Sequence, residues 1–237
     1  MTRSAIQVVV FDAVGTLIYP EPEVAAVYTA VGRQFGSCLV QEDVGQRFRE
    51  AFAEDESLAI AQSLTSEEIE RDRWRRIVRS VLHDVHDPDA CFAELFTHFA
   101  RPDSWRLFTD VPEALAKLRS ARIRLGVASN FDARLFGILE AVDCTRGIEF
   151  VLASSMIGWR KPHAGFFDAI VSRAQADRKS ILYVGDDPVN DVAAAVGAGL
   201  NARLIDRRST RSGAMQSLGD LCLGSSAFMT SCDMSGR

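Results

Sequence analysis

Seven polar residues in this chain sit at or shortly beyond the end of an apolar run. VVVF runs straight into Asp12, followed by the turn sequence AVGT. A second run, Ile123–Ser129, ends on Ser129 and Asn130. After the third, Phe150–Ala153, comes GWRKP with Lys161, and the fourth, Ile181–Asp186, opens into GDDPVND with Asp186, Asp187 and Asp191. If these runs are parallel strands, their carboxyl ends share one edge, where open α/β sheets bind ligands. One potential nucleophile, one hydroxyl, one lysine and three further acids would then converge. Four carboxylates facing a single ammonium repel one another in a low-dielectric cleft. A divalent cation relieves that repulsion, and hard oxygen ligands with retained water suit Mg²⁺. Cation and Lys161 together can neutralise a phosphoryl group, with Ser129 and nearby amides holding its oxygens. On this reading Asp12 ends a buried strand because it attacks phosphorus and binds metal.

The elements needed to hold these residues follow from the pattern. The short runs are rich in β-branched residues, as is a fifth, Ala202–Asp206. Helical patterns lie between most of them: Pro112–Leu118, Arg134–Val142, Phe166–Ala174 and Asp191–Ala198, the last closed by Gly199. Asp110 with Glu113 predicts a capping box at the first of these. Strand and helix in alternation predict an α/β fold, a Rossmann-like parallel sheet covered by helices on both faces.

One segment interrupts the alternation. Helical periodicity alone runs through Val24–Phe35, Glu42–Ala53, Glu67–Val85 and Asp89–Phe99. In the third helix Trp74, Ile77, Val78, Val81, Leu82 and Val85 form one apolar stripe. The expected organisation is a catalytic core of residues 1–19 and 102–237, frayed after about residue 228, with an all-helical cap over 20–101. Hinges fall near Tyr19–Pro22 and Arg101–Trp105.

Composition narrows the function. The 237 residues carry a net charge of −5, which disfavours nucleic acid as a main partner, and no apolar run approaches a membrane span. Ile6–Phe11 is too short for a secretion signal, and Asp12 interrupts it. Cys38, Cys91, Cys144, Cys222 and Cys232 are odd in number and scattered, which favours free thiols in a reducing compartment, the cytoplasm. Oligomeric state is left open. Arginine outnumbers lysine 24 to 3, so a lysine retained before Pro162 stands out.

Taken in order, FDAVGTL, ASNFD, GWRKP and GDDPVND resemble the four motifs of the haloacid dehalogenase-like hydrolase superfamily, over about Gln7 to Asp206. The helical insert resembles the C1 cap of its phosphatase-rich branch. The pairing of SNFD with GWRKP resembles the subgroup named only as haloacid dehalogenase-like hydrolase domain-containing proteins. The resemblance implies hydrolysis of small phosphate monoesters with Mg²⁺, through an aspartyl-phosphate at Asp12. It implies substrate binding by Ser129, Asn130 and Lys161, metal binding by Asp12, Asp186 and the Val14 carbonyl, and support from Asp187 and Asp191. The expected partner is a small phosphorylated metabolite.

One position departs from the pattern. The family's second aspartate protonates the leaving oxygen and later activates water, and here that place is Val14. General acid–base help is worth ~10²–10⁴ in rate, or roughly 3–5 kcal/mol of barrier. The chain is therefore expected to be slow on alkyl phosphates, to prefer activated esters, or to use another acid, with Asp132 and His163 as candidates. Two further readings stay open: a metal-free haloacid dehalogenase, and a binding protein with little turnover. A phosphonoacetaldehyde hydrolase is disfavoured, because the cap segment contains no lysine. Arg71, Arg75 and Arg79 are expected on a solvated helix face paired with neighbours such as Glu67, and Trp74 and Trp105 are expected in packing.

Overall fold

The computed structural model describes residues 6–142, 145–208 and 210–221, with side chains undescribed at 59–62. Cys144, Cys222, Cys232 and the tail beyond residue 228 lie outside the described residues. Cys38 and Cys91 are free thiols.

Five parallel strands form the main sheet: β1 (Val8–Phe11), β4 (Arg124–Ser129), β5 (Phe150–Ala153), β6 (Ile181–Gly185) and β7 (Asn201–Leu204), in the order β5-β4-β1-β6-β7. β1 lies at the centre, with Phe11 opposite both Val127 of β4 and Val184 of β6. The chain builds outward on one side of β1 and then crosses to the other, so the crevice where strand order reverses opens at the end of β1. Asp12 stands there, its amide bonded to the Val184 carbonyl (2.8 Å).

The unbroken VVVF run reflects burial on both faces rather than on one. Val9 and Phe11 face a cluster with Leu115 and Leu118 of α5 (Val111–Ser120) and Leu135 and Ile138 of α6 (Arg134–Glu140). Val8 and Val10 face Phe166, Phe167 and Ile170 of α8 (Ala164–Ala174), and Ala195 of α9 (Ala194–Gly197). Among the described residues no helix is long and apolar enough to cross a membrane.

Between β1 and α5 lie α1 (Val24–Gln34), α2 (Gln41–Gln62), α3 (Glu67–Val81) and α4 (Pro88–His98). They close on a separate core that includes Tyr28, Val31, Val44, Ile77, Val81, Phe92 and Leu95. Two short strands missing from the sequence reading flank this segment: β2 (Ile18–Pro20) and β3 (Trp105–Leu107), paired antiparallel. They overlap the expected hinge segments at Tyr19–Pro20 and at Trp105.

Asp110 corrects another expectation. Its side chain makes no cap hydrogen bond to α5. It accepts instead from Arg207 Nη1 (2.7 Å), Ser217 Oγ (2.9 Å) and the Leu218 amide (2.6 Å). Burial works against the carboxylate, but these donors hold its pKa below the ordinary range. The capping box forms at Ser217 and Asp220, on the 3₁₀ turn Leu218–Asp220.

Candidate active site

The four strand-end segments meet at one edge of the sheet, as the run endings require. Asp12 (5 % exposed), Lys161 (4 %) and Asp191 (1 %) are buried together. Lys161 Nζ donates to Asp12 Oδ1 and to Asp191 Oδ1, each at 2.6 Å. Asp12, Asp186 and Asp191 each present a carboxylate oxygen within 4.8 Å of the other two. Two glycines make this approach possible. A Cβ on Gly15, whose φ is +81°, would lie 2.3 Å from Asp186 Oδ2; one on Gly185 would lie 2.2 Å from Asp191 Oδ2.

Three carboxylates around one ammonium leave an excess of negative charge. Burial first, then the charges of Asp12 and Asp191, push the Asp186 pKa up to about 7. Burial also raises Asp191; Lys161 opposes the shift and Asp12 adds to it. For Lys161, burial works against charge, yet Asp12 and Asp191 hold its pKa well above the ordinary value, so it stays an ammonium. Buried oxygens that crowd together and resist ionisation are a donor set that a divalent cation fits.

The lysine loop is held from two directions. Asn130 grips the Lys161 backbone, its Oδ1 accepting from the amide (2.8 Å) and its Nδ2 donating to the carbonyl (3.2 Å). On the other side the loop pairs with the α2–α3 connection: Arg160 N donates to Ser63 O (3.0 Å) and Thr65 N to Gly158 O (3.1 Å). Asp187 is the cap of the π-helical turn Pro188–Ala193, its Oδ1 accepting from the Val189 and Asn190 amides. It is not in the three-carboxylate cluster. Asp191 Oδ2 accepts from the Asp187 amide (2.9 Å), so both Asp191 oxygens are engaged.

These residues border a cavity of about 390 Å³ between the sheet edge and α1–α3. Val14, Ser129, Asn130, Asp186, Asp187 and Asp191 lie along it with Asp12 and Lys161. Much of the remaining wall is aromatic, including Tyr28, Phe48, Phe52, Trp74, Trp105 and Phe131. Trp74 and Trp105 therefore face the cavity as well as packing, which the sequence reading did not expect.

Neither candidate for the missing acid reaches the cavity wall. Asp132 is 1 % exposed and paired through both oxygens with Arg134, at 2.8 and 2.7 Å. His163 stacks on Trp159 (3.9 Å between rings), and its Nδ1 accepts from the Gly165 amide at the start of α8. Arg75 and Arg79 pair with Asp89, and Arg71 lies over the Phe92 and Phe96 rings. Glu67 is not their partner; it accepts from Ser155 Oγ and from the Ala133 amide.

Sequence reasoning missed the charged seam beside the site. Arg160, next to Lys161, pairs with Glu70 of α3, both side chains 2 % exposed, and with Glu56 of α2 at 3.1 Å. Arg73 pairs with Asp55 (2.6 Å) and Glu56 (2.7 Å). A signal was present: Glu70, Trp74, Ile77 and Val81 share one helical stripe, so a carboxylate stood in a buried register.

The profile of the haloacid dehalogenase-like hydrolase family matches residues 6–199. A Xenopus laevis protein named haloacid dehalogenase-like hydrolase domain-containing protein 3 is 29 % identical over 210 residues, covering 85 % of this chain and 84 % of its own. The fold is similar to that of the HAD-hydrolase YfnB from Bacillus subtilis bound to magnesium, with a TM-score of 0.72, 13 % identity, and coverage of 92 % and 97 % of the two chains. It is also similar to L-2-haloacid dehalogenase from Xanthobacter autotrophicus with chloropropionic acid covalently bound, with a TM-score of 0.69, 19 % identity, and coverage of 88 % and 80 %. The chain belongs to the haloacid dehalogenase-like hydrolase family.

Proposed function

We propose that this member of the haloacid dehalogenase-like hydrolases is a Mg²⁺-dependent phosphomonoesterase that works through an aspartyl-phosphate at Asp12. One observation carries the reading: the oxygens of Asp12, Asp186 and Asp191 lie within 4.8 Å of one another beside a buried ammonium. Asp12, Asp186 and the Val14 carbonyl would hold the cation. Asp191, with both oxygens engaged, would support it by fixing Lys161 and the Asp187 turn. When bound, the cation supplies positive charge to the clustered carboxylates and to the phosphoryl oxygens. That the Bacillus subtilis hydrolase of similar fold is bound to magnesium supports Mg²⁺ as the choice of cation.

Asp12 attacks phosphorus, and the bond to the ester oxygen breaks. Lys161 offsets charge on the transferring group, and Ser129 holds one of its oxygens. Asn130 keeps Lys161 in place through the backbone pairing, and Asp187 shapes the acidic turn. Water then releases phosphate and restores Asp12. Helices α1–α4, over residues 20–101, act as a cap on the core of residues 1–19 and 102–237, hinged at β2 and β3, and exclude water from the cavity. The substrate is a small phosphorylated metabolite, and the unpaired Cys38 and Cys91 suit a cytoplasmic protein.

A metal-free dehalogenase is the second reading, favoured by Val14 in place of an acid. A panel of phosphate esters and 2-haloacids, assayed with and without Mg²⁺, separates the two. Mg²⁺-dependent phosphate release that Asp12→Asn abolishes supports the phosphatase. Halide release without metal, or phosphate release unchanged in Asp12→Asn, refutes it.

A further inference from the structure

Resting on that phosphatase reading, we propose that the substrates are phosphate esters of acidic hydroxyls, aryl phosphates above all, and that the aromatic wall of the cavity seats the aryl body. Two independent observations point the same way, one about the leaving group and one about the space it occupies.

The first concerns the proton. Position 14 holds valine, and Asp132 and His163 are engaged away from the cavity. The other carboxylates on the cavity wall also have tasks. Glu56 Oε2 accepts from Arg73 and from Arg160. Asp187 caps its turn, Asp12 and Asp186 belong to the proposed cation site, and both Asp191 oxygens are engaged by Lys161 and the Asp187 amide. The ester oxygen therefore leaves as an anion. An alkoxide does this poorly and a phenolate readily, a difference on the order of the ~10²–10⁴ that a general acid supplies.

The second concerns the wall. Tyr28 meets Phe48 edge-on at 5.3 Å, Phe48 stacks on Phe52 at 5.8 Å, and Phe52 contacts Trp74 at 6.2 Å. Trp105 and Phe131 form an edge-to-face pair at 5.9 Å. The arginines on the same wall carry their own carboxylates: Arg73 has Asp55 and Glu56, Arg134 has Asp132, and Arg160 has Glu70 and Glu56. A polyhydroxylated body would lose water here and find ring faces, which is unfavourable. A flat apolar body finds stacking partners. The 390 Å³ volume is in the range of small-ligand sites.

An Asp12 carboxylate oxygen forms the new bond to phosphorus, and the phosphorus–oxygen bond to the aryl group breaks. The aryloxide keeps the electron pair and takes its proton from solvent after release. Water then attacks the aspartyl-phosphate; the Asp12 carboxylate departs, and the proton lost by water stays on the phosphate. This second step also lacks the base that an acid at position 14 would become. It is therefore slow, and it is the same for every substrate.

The test is a series of phosphate monoesters graded by leaving-group pKa, from nitrophenyl through naphthyl and phenyl to glycerol phosphate, assayed with Mg²⁺. kcat/KM should fall at least about a hundredfold from aryl to alkyl, while kcat among the aryl esters stays level. Val14→Asp should narrow that gap at least about tenfold; Val14→Asn, equal in shape but without the acid, should not. Trp74→Leu should raise KM for naphthyl phosphate about tenfold more than for acetyl phosphate, which has no ring. A flat dependence in the unmodified protein, or equal narrowing by Val14→Asn, overturns the inference while leaving the phosphatase reading intact. Absence of any Asp12-dependent phosphate release overturns both.

Discussion

Lys161 and Arg160 are neighbours in sequence and belong to opposite kinds of charge cluster. Lys161 faces Asp12, Asp186 and Asp191, where negative charge is in excess and two carboxylates are pushed toward protonation. Arg160 faces Glu70 and Glu56, which with Arg73, Arg76 and Asp55 form a network of pairs along the seam between the lysine loop and α2–α3. Both clusters are mostly buried, yet only the first leaves charge for something else to neutralise. Imbalance marks the place where chemistry is expected; near-balance marks a joint. The joint still serves the site, because it fixes the segment that carries Lys161.

Five outcomes sharpen or break this contrast. The largest is at the unbalanced cluster: Asp12→Asn should lower phosphate-ester turnover by at least about 10⁴, with the fold retained by circular dichroism. Next, Glu70→Leu leaves Arg160 with Glu56 in the seam and should cost about 3 kcal/mol in denaturant unfolding. The double change Glu70→Leu with Arg160→Leu should recover most of that loss, because a balanced buried pair is replaceable by apolar side chains. Third, Mg²⁺ at a hundredfold over its Kd should stabilise the protein by about 2.7 kcal/mol, and Asp186→Asn should remove most of this shift.

pH offers a related check of the same cluster. Without metal, Asp186 is raised to about 7, so between the ordinary carboxylate range and about pH 7 the folded state binds more protons than the unfolded one. Unfolding free energy then falls as pH rises through that window, and Tm of the metal-free protein should be higher at pH 6 than at pH 8. Saturating Mg²⁺ should remove the difference. The smallest effect is at the surface: Arg79 and Asp89 are 52 % and 68 % exposed, and Arg79→Ala should change stability by less than about 0.5 kcal/mol.

The sheet and most of the strand-end residues were legible in the sequence because doubly buried strands read as apolar runs, and three of those runs stopped at Asp12, Ser129 and Asp186, which border the cavity. The helices α1–α4 were legible by period. The ladder between β2 and β3 was not: three residues carry no period, and Pro20 argues against a strand. Asp110 looked like a cap because Glu113 stood at the right spacing, but partners about a hundred residues further along the chain claimed its carboxylate. Asp132 and His163 looked available because they lie close in sequence to the motifs; Arg134 and Trp159, also close, engage them. The aromatic wall was hidden for another reason. Tyr28, Phe48, Phe52 and Trp74 come from three helices, and only tertiary packing brings them to one cavity.

The most direct measurement mixes the protein with Mg²⁺ and an aryl phosphate, quenches it in acid within the first turnovers, and maps the phosphoryl group by peptide mass spectrometry. A phosphoryl group on Asp12, accumulating because its hydrolysis is slow and absent from Asp12→Asn, is the predicted result. A protein that turns over the ester with no phosphoryl on Asp12, or with the group on another side chain, would contradict it.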